Sequence, residues 1–204
     1  MAMPPSDVAF TPAVKAIQTS RGSRAAYARL EQRGGFRTEI TEDLRTFLAG
    51  VDTAYLATAS AAGQPYAQHR GGPKGFIRVV DDRTLGFADY AGNRQYVTTG
   101  NLAENDRAFL FLMDYAHQRR IKIWGRACIS DDPQLVERLM PDGYQATGEQ
   151  AILFRLDAWD VNCPRHIPQK FDAADVAEAI ARYEARIAAL ETENARLKSL
   201  IGAG

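Results

Sequence analysis

Two short runs carry the residue types from which a binding site could be built. "QHRGGPKGF", residues 68–76, sets His69, Arg70 and Lys74 among three glycines and a proline. "YAGNRQ", residues 90–95, sets Arg94 beside Gly92 and Asn93. Glycine lets a backbone approach a ligand closely. Arginine offers a phosphate two parallel N–H donors, and a lysine such as Lys74, or Arg78 just beyond, adds charge. A helix starting at Gly92–Asn93 would add main-chain N–H groups and the positive end of its dipole, with Arg94 in the first turn. The chemistry implied is anion binding, a phosphate first. Each residue also has a plain structural reading. The first run could be a hairpin corner, His69 a turn histidine, and Arg70 the ion-pair partner of Asp89.

Other chemistries lack their residues. There is no GxGxxG, GxxxxGK[ST], GxSxG or HExxH pattern. The two cysteines, Cys128 and Cys163, form no CxxC pair, and the histidines at 69, 117 and 166 have no HxxxH spacing, so no metal site is expected. Cys163 beside Pro164 reads as a buried cysteine before a reactive thiol. The 25 basic and 25 acidic residues balance. That gives no general reason to bind nucleic acid or an anionic membrane. The N-terminus lacks a basic n-region and an apolar h-region, and no apolar run is long enough to span a bilayer. A cytoplasmic protein is the expectation.

The elements that must position these residues follow from periodicity. Residues 12–33 read as helix broken near Ser20–Ser23, anchored by Val14, Ile17, Tyr27 and Leu30. Thr41 reads as the N-cap of a short helix carrying Leu44, Phe47 and Leu48. From Thr53 the period becomes two. A strand–turn–strand turns at Ala62–Gly63, and a second turns at Asp81–Thr84. Residues 93–105 read as helix, 107–115 and 119–130 as strands, 132–140 as helix and 149–161 as a last strand. In 119–130, Ile121, Ile123 and Gly125 share one face, and Lys122, Trp124 and Arg126 the other. About seven strands with short connections predict an antiparallel, mainly β barrel. Both basic runs fall at the ends of strands expected to be neighbours.

The C-terminal segment is of another kind. Ile180, Tyr183, Ile187, Leu190, Asn194, Leu197 and Ile201 are spaced 3, 4, 3, 4, 3, 4, as a and d positions of a heptad are. Asn194 at an a position favours a parallel two-stranded coil. Arg186 then faces Glu191 of a partner, and Glu193 faces Lys198. The other reading is one amphipathic helix lying on its own barrel. The organisation expected is an N-terminal helical extension over 1–36, a barrel over 37–171 and a C-terminal helix over 172–204.

"QHRGGPKGFIRVVDDRTLGFADYAGNRQYVTTGNLAENDRAFLFLMDY…RRIKIWGRA" resembles the FMN-binding split-barrel proteins of the pyridoxamine 5′-phosphate oxidase-like superfamily, and within it the general-stress-protein-like branch. The resemblance covers residues ~40–170. Its most specific parts are GNR followed by NLAEN, an apolar strand and IWGRA. It implies a six-stranded antiparallel Greek-key barrel and a homodimer with FMN in the subunit interface.

By the same resemblance Arg94 and Gln95 stand at the FMN phosphate, Gln95 departing from the family's Arg-Lys, and Asn93 beside them is counted with the cofactor-binding residues. Pro73 to Arg78, with Lys74, Gly75 and Phe76, would follow the flavin edge. His69 and Arg70 lie beside them. Ala88 and Asp89 stand where the oxidases have Tyr-Thr, and Arg120 would reach the flavin from the partner. Asn162, Arg165 and His166 align with the tail that closes over the cofactor and binds substrate in the oxidases. Asn162 there replaces a Trp. The activity implied is FMN-dependent oxidoreduction of a small molecule, with a donor such as NAD(P)H. No residue is assigned as general acid or base. Alternatives are a non-catalytic flavin-binding module acting as sensor or store, a true pyridoxamine or pyridoxine 5′-phosphate oxidase, and a barrel holding haem or a deazaflavin.

Overall fold

The computed structural model describes residues 4–161 and 163–201. Its chain divides into two compact units. One comprises Met1–Asp114 with Arg119–Arg165, the other Tyr115–Gln118 with His166–Gly204.

The first unit is built on one antiparallel sheet. Its strands are β1 (Thr53–Ala59), β2 (Pro65–Gly71), β3 (Arg78–Asp81), β4 (Thr84–Tyr90), β5 (Arg107–Asp114), β6 (Arg119–Ser130) and β7 (Gly148–Val161). They lie in the order β2-β1-β5-β6-β7-β4-β3. The expected six-stranded barrel is therefore corrected to a seven-stranded open sheet. The short β3 pairs with β4 and adds the seventh strand. β2 and β3, consecutive in sequence, occupy opposite edges.

The sheet curls around one core. Leu56 of β1 and Phe87 of β4 belong to the same buried cluster, although three strands separate β1 from β4. The alternation read from sequence explains why. In β5, Ala108, Leu110 and Leu112 point inward, and in β6, Ile121 and Ile123 do, all buried. Each such leucine or isoleucine contributes roughly 1.5–3 kcal/mol by leaving water. The long β6 and β7 bend at a register shift between Trp124 and Gly125. A Cβ on Gly125 would stand 2.1 Å from the Arg155 carbonyl oxygen, so the bulge demands glycine.

Short helices close the core. α3 (Glu42–Ala49) contributes Leu44, Phe47 and Leu48 to it, as expected, although Thr41 caps it without a side-chain hydrogen bond. α5 (Pro133–Leu139) is capped by Asp132, whose carboxylate accepts from the Gln134 N–H at 3.0 Å. It packs Leu135, Val136 and Leu139 against Ala88 and Ala151. α4 (Val97–Glu104) connects β4 to β5.

α1 (Pro12–Ser20) and α2 (Arg24–Gln32) form the expected broken helix. Their burial differs from expectation: Ile17 is exposed, while Gln18 is buried and accepts from Arg24 Nη1 at 2.7 Å. Phe36 stacks on Trp124 at 5.3 Å, and Phe10 meets Phe36 edge-on at 5.2 Å. These aromatic contacts seat the N-terminal segment on the outer face of β6.

In the second unit the tail is stitched to the β5–β6 turn. Gln118 Nε2 donates to the Ile167 carbonyl at 2.7 Å, and Gln169 Nε2 to that of Ala116 at 2.8 Å. The Lys170 ammonium lies 4.6 Å from the Tyr115 ring centroid. α6 (Ala173–Ile201) follows. Among the described residues no helix is long and apolar enough to cross a membrane.

Candidate functional site

The corner that joins β2 to β3 must travel from one edge of the sheet to the other. Its main chain is held by the Gly72 N–H, which donates to the Asp52 carbonyl at 3.1 Å, and the Gly75 N–H, which donates to Val51 at 2.9 Å. Phe76 and Ile77 then turn into the core. QHRGGPKGF is thus neither a hairpin corner nor a free loop. It spans the split in the sheet. Its glycines permit close approach. A Cβ on Gly72 would come 2.8 Å from the Phe76 Cβ and 3.0 Å from the Tyr90 hydroxyl. The two basic runs do not sit on neighbouring strands, as the sequence reading had them, but meet across this split.

The meeting point is the ion pair of Arg70 on β2 with Asp89 on β4, whose side chains are only 13% and 12% exposed. Gln150 of β7, opposite Asp89 in the ladder, donates Nε2 to Asp89 Oδ2 at 2.8 Å and to Thr99 Oγ1 at 2.9 Å. The Thr98 hydroxyl donates to Gln68 Oε1 at 2.8 Å, and Asn101 Nδ2 to Thr58 Oγ1 at 3.0 Å. Buried polar side chains therefore tie α4 to β1, β2 and β7, each with a partner, as burial requires.

Above this network is a cavity of about 230 Å³. Tyr66, Gln68 and Arg70 form its β2 wall, and Asp89 and Tyr90 its β4 wall. Glu149 stands at the β7 end, and residues 92–99 make the rim. The rim is strained. Arg94 has φ 58° and Tyr96 φ 51°, and Tyr96 is the N-cap of α4 in the left-handed region. A non-glycine residue there costs roughly 1–2 kcal/mol. Such strain concentrates at ligand clamps and switches. The Asn93 side-chain oxygen accepts the Gln95 N–H at 3.2 Å and closes the turn. α4 accordingly begins at Val97, four residues later than read from sequence, and Arg94 precedes its first turn.

Two buried polar atoms of residues that line the cavity are without partners, Arg70 Nε and the Tyr90 hydroxyl, the latter lying on the side of Gly72 and Tyr144. An unsatisfied buried group costs about 1–3 kcal/mol, and a ligand group would remove that cost. Burial, with Tyr144 beside it, raises the Tyr90 phenol above its ordinary pKa. The Tyr96 hydroxyl donates to Glu149 Oε1 at 2.5 Å, which raises its pKa as well. Both phenols are neutral hydrogen-bonding groups at ordinary pH.

Of the residues singled out from sequence, Arg70, Asp89, Asn93, Arg94 and Gln95 come together at this cavity. His69 points to the other face of β2, 5.8 Å from the Tyr55 ring, and lines a separate cleft of about 590 Å³ with Asp52, Gly71 and Tyr144. Lys74 is exposed on the corner. Gly75, with φ 80°, passes over Ala49. Phe76 fills the core, and Ala88 lies beneath α5, so neither side chain lines the cavity. Arg78 donates Nη2 to the Met140 carbonyl at 3.1 Å. Arg120 is half-buried on the outer face of β6. Arg165 and His166 are exposed. Asn162 lies outside the described residues.

Tyr66, Gln68, Thr98, Thr99, Glu149 and Gln150 were not singled out. Period-two alternation already put Tyr66, Gln68 and Arg70 on one face of β2. The pairing of β4 with β7, which brings Glu149 and Gln150 to the cavity, has no local signal. Tyr90 and Tyr96 line it too. Among the described residues no cluster of His, Cys, Asp or Glu could hold a metal ion.

Comparison with known proteins identifies the family. A family model described as pyridoxamine 5′-phosphate oxidase matches residues 40–170. No curated protein matches the sequence. Among solved structures, HupZ from Group A Streptococcus superposes with a TM-score of 0.50 at 16% identity, covering 65% of this chain and 99% of that one. A variant of the same protein gives 0.50 at 17%, covering 60% and 99%. General Stress Protein 26 from Bacillus anthracis gives 0.44 at 17%, covering 57% and 88%. The HupZ likeness is one of fold.

Proposed function

We propose, since the chain belongs to the pyridoxamine 5′-phosphate oxidase family, that it binds FMN at the split of its sheet and acts as an FMN-dependent oxidoreductase on a small molecule. The observation that carries the reading is the strained Arg94–Tyr96 rim at the head of α4, set over a polar cavity with two orphaned buried donors. The donor set suits a phosphate ester carrying a flat polar ring. Arg94, the Asn93 side chain and the free N–H groups of the first turn of α4 would hold the phosphate. Arg70 Nε and the Tyr90 hydroxyl offer hydrogen bonds to ring heteroatoms.

FMN, when bound, supplies two-electron transfer. The chain's own residues bind, orient and exclude water. The Arg70–Asp89 pair fixes the β2 and β4 walls. Gln150 holds Asp89 and α4 in register. The Tyr90 hydroxyl keeps its proton to donate, whereas that of Tyr96 is given to Glu149. No cavity residue is assigned a proton-transfer role.

The cavity of one chain, about 230 Å³, is smaller than the ~300–1,000 Å³ of ordinary ligand sites. A second subunit completing the site is part of the proposal, as are a reduced nicotinamide as electron donor and an unidentified small substrate. The test is the visible spectrum of the purified protein, followed by heat release of any chromophore. Flavin absorption with FMN in the supernatant supports the reading. A colourless protein that does not take up added FMN overturns it. Bound FMN without turnover by any reduced nicotinamide would assign the chain to non-catalytic flavin binding.

A further inference from the structure

The C-terminal helix α6 presents an apolar stripe that nothing covers in the single chain. None of its residues is buried. Val176, Ile180, Tyr183, Ile187, Leu190, Leu197 and Ile201 are from 43% to 81% exposed. At about 1.5 Å per residue, the helix's 29 residues reach roughly 43 Å. A surface helix ordinarily buries such a stripe, and helices in proteins gain most of their stability from packing it. The stripe keeps a strict 3,4 spacing from Val176 to Ile201, the narrow seam of a coiled coil rather than the broader face of a helix on a globular core.

We infer that α6 pairs with α6 of a second copy of this chain as a parallel, in-register two-stranded coiled coil. The charges flanking the seam select the partner. In the parallel register Arg186 meets Glu191 of the other copy, and Glu193 meets Lys198, each pair occurring twice by symmetry. Asn194, at an a position, meets its own equivalent and can hydrogen-bond there. In the antiparallel register that sets Ile187 against Leu190, Arg186 still meets Glu193, but Glu184 meets Glu191 and Asn194 faces Tyr183. That arrangement opposes like charges and leaves the amide without a matching partner. Glu193 also accepts from Arg196 within the helix at 2.7 Å, so the pairing with Lys198 extends an existing charge cluster. The inference is independent of whatever the sheet cavity binds.

Disulfide trapping in the full chain tests it. Cys128 and Cys163 are exposed and are first replaced by serine. Into that background Asn194→Cys, Ile187→Cys and, on the outer face, Thr192→Cys are introduced singly. In a parallel coil, equivalent a positions approach within disulfide reach. Mild oxidation should then convert Asn194→Cys and Ile187→Cys to covalent dimers and leave Thr192→Cys monomeric on a non-reducing gel. Equal trapping at 192 and 194 overturns the inference. So does no trapping at either 187 or 194, or preferential trapping between mixed Ile180→Cys and Leu197→Cys chains, the mark of an antiparallel pair. Flavin absorbance, read on the same samples, reports on the cavity separately.

Discussion

Replacing Arg94 with alanine and, separately, with glycine divides its side chain from its backbone. Arg94 is exposed and held at φ 58°. A hydrogen bond to a charged group contributes about 1.5–3 kcal/mol, and exposure places Arg94 at the lower end. At ~1.4 kcal/mol per tenfold, either substitution should weaken FMN binding about tenfold. Riboflavin, the same ring without the phosphate, should bind both variants as it binds the parent. The backbone effect has the opposite sign. Alanine keeps the left-handed cost, whereas glycine removes roughly 1 kcal/mol of it. At ~2–4 °C per kcal/mol for a chain of this size, Arg94→Gly should melt a few degrees above Arg94→Ala. The assay is quenching of flavin fluorescence on titration with each protein, alongside thermal melts without flavin. Equal loss of riboflavin and FMN affinity would refute the phosphate assignment, and an unchanged FMN affinity would remove Arg94 from the site.

Other consequences follow from the same geometry. Asp89→Asn strips the partner from a largely buried Arg70 and should cost on the order of 3 kcal/mol, seen as a melting temperature lower by about 10 °C; a change within error would mean the pair is solvated. Gly125→Ala forces a methyl against the Arg155 carbonyl and should meet or exceed the upper end of the ~1–3 kcal/mol typical of overpacking, read as loss of soluble folded protein or an early denaturant midpoint. Ultraviolet titration of the eight tyrosines should show Tyr90 and Tyr96 ionising after the rest, and Tyr90→Phe and Tyr96→Phe should each remove one late step. Because both folded pKa values are raised, the native state holds more protons than the unfolded chain above about pH 10, so their contribution is complete below that pH and declines as pH rises through the folded values.

Much of the fold was legible because burial imposes period. Ile121 and Ile123 inward against Lys122 and Trp124 outward follow directly from a pleated strand with one dry face. The strand runs of 53–59, 107–114, 119–130 and 148–161 emerged within a residue or two. Helix signals were weaker where the helix is half-buried. Gln18 rather than Ile17 turns inward because Arg24 and the α1–α2 turn supply it with hydrogen bonds, which no hydropathy pattern registers. The start of α4 was placed too early for a related reason. Arg94 and Tyr96 take left-handed conformations that propensity gives to glycine or asparagine, and three-dimensional context overrides it there.

The site was legible only in its parts. Composition marked the basic, glycine-bearing runs, but what joins them is a ladder order, β2 at one edge and β4 beside the other, and order is a property of long-range pairing. The open sheet brings its ends together, and the chain that crosses that opening is held by main-chain bonds from Gly72 to Asp52 and from Gly75 to Val51. Arg70 and Asp89 close the gap electrostatically, while α4 closes it with Thr98, Thr99 and Asn101. The orphaned Arg70 Nε and Tyr90 hydroxyl are side-chain donors of β2 and β4, the strands joined by the Arg70–Asp89 pair. A split sheet therefore favours a ligand that brings its own acceptors. The phosphate-bearing ring proposed above would meet that requirement.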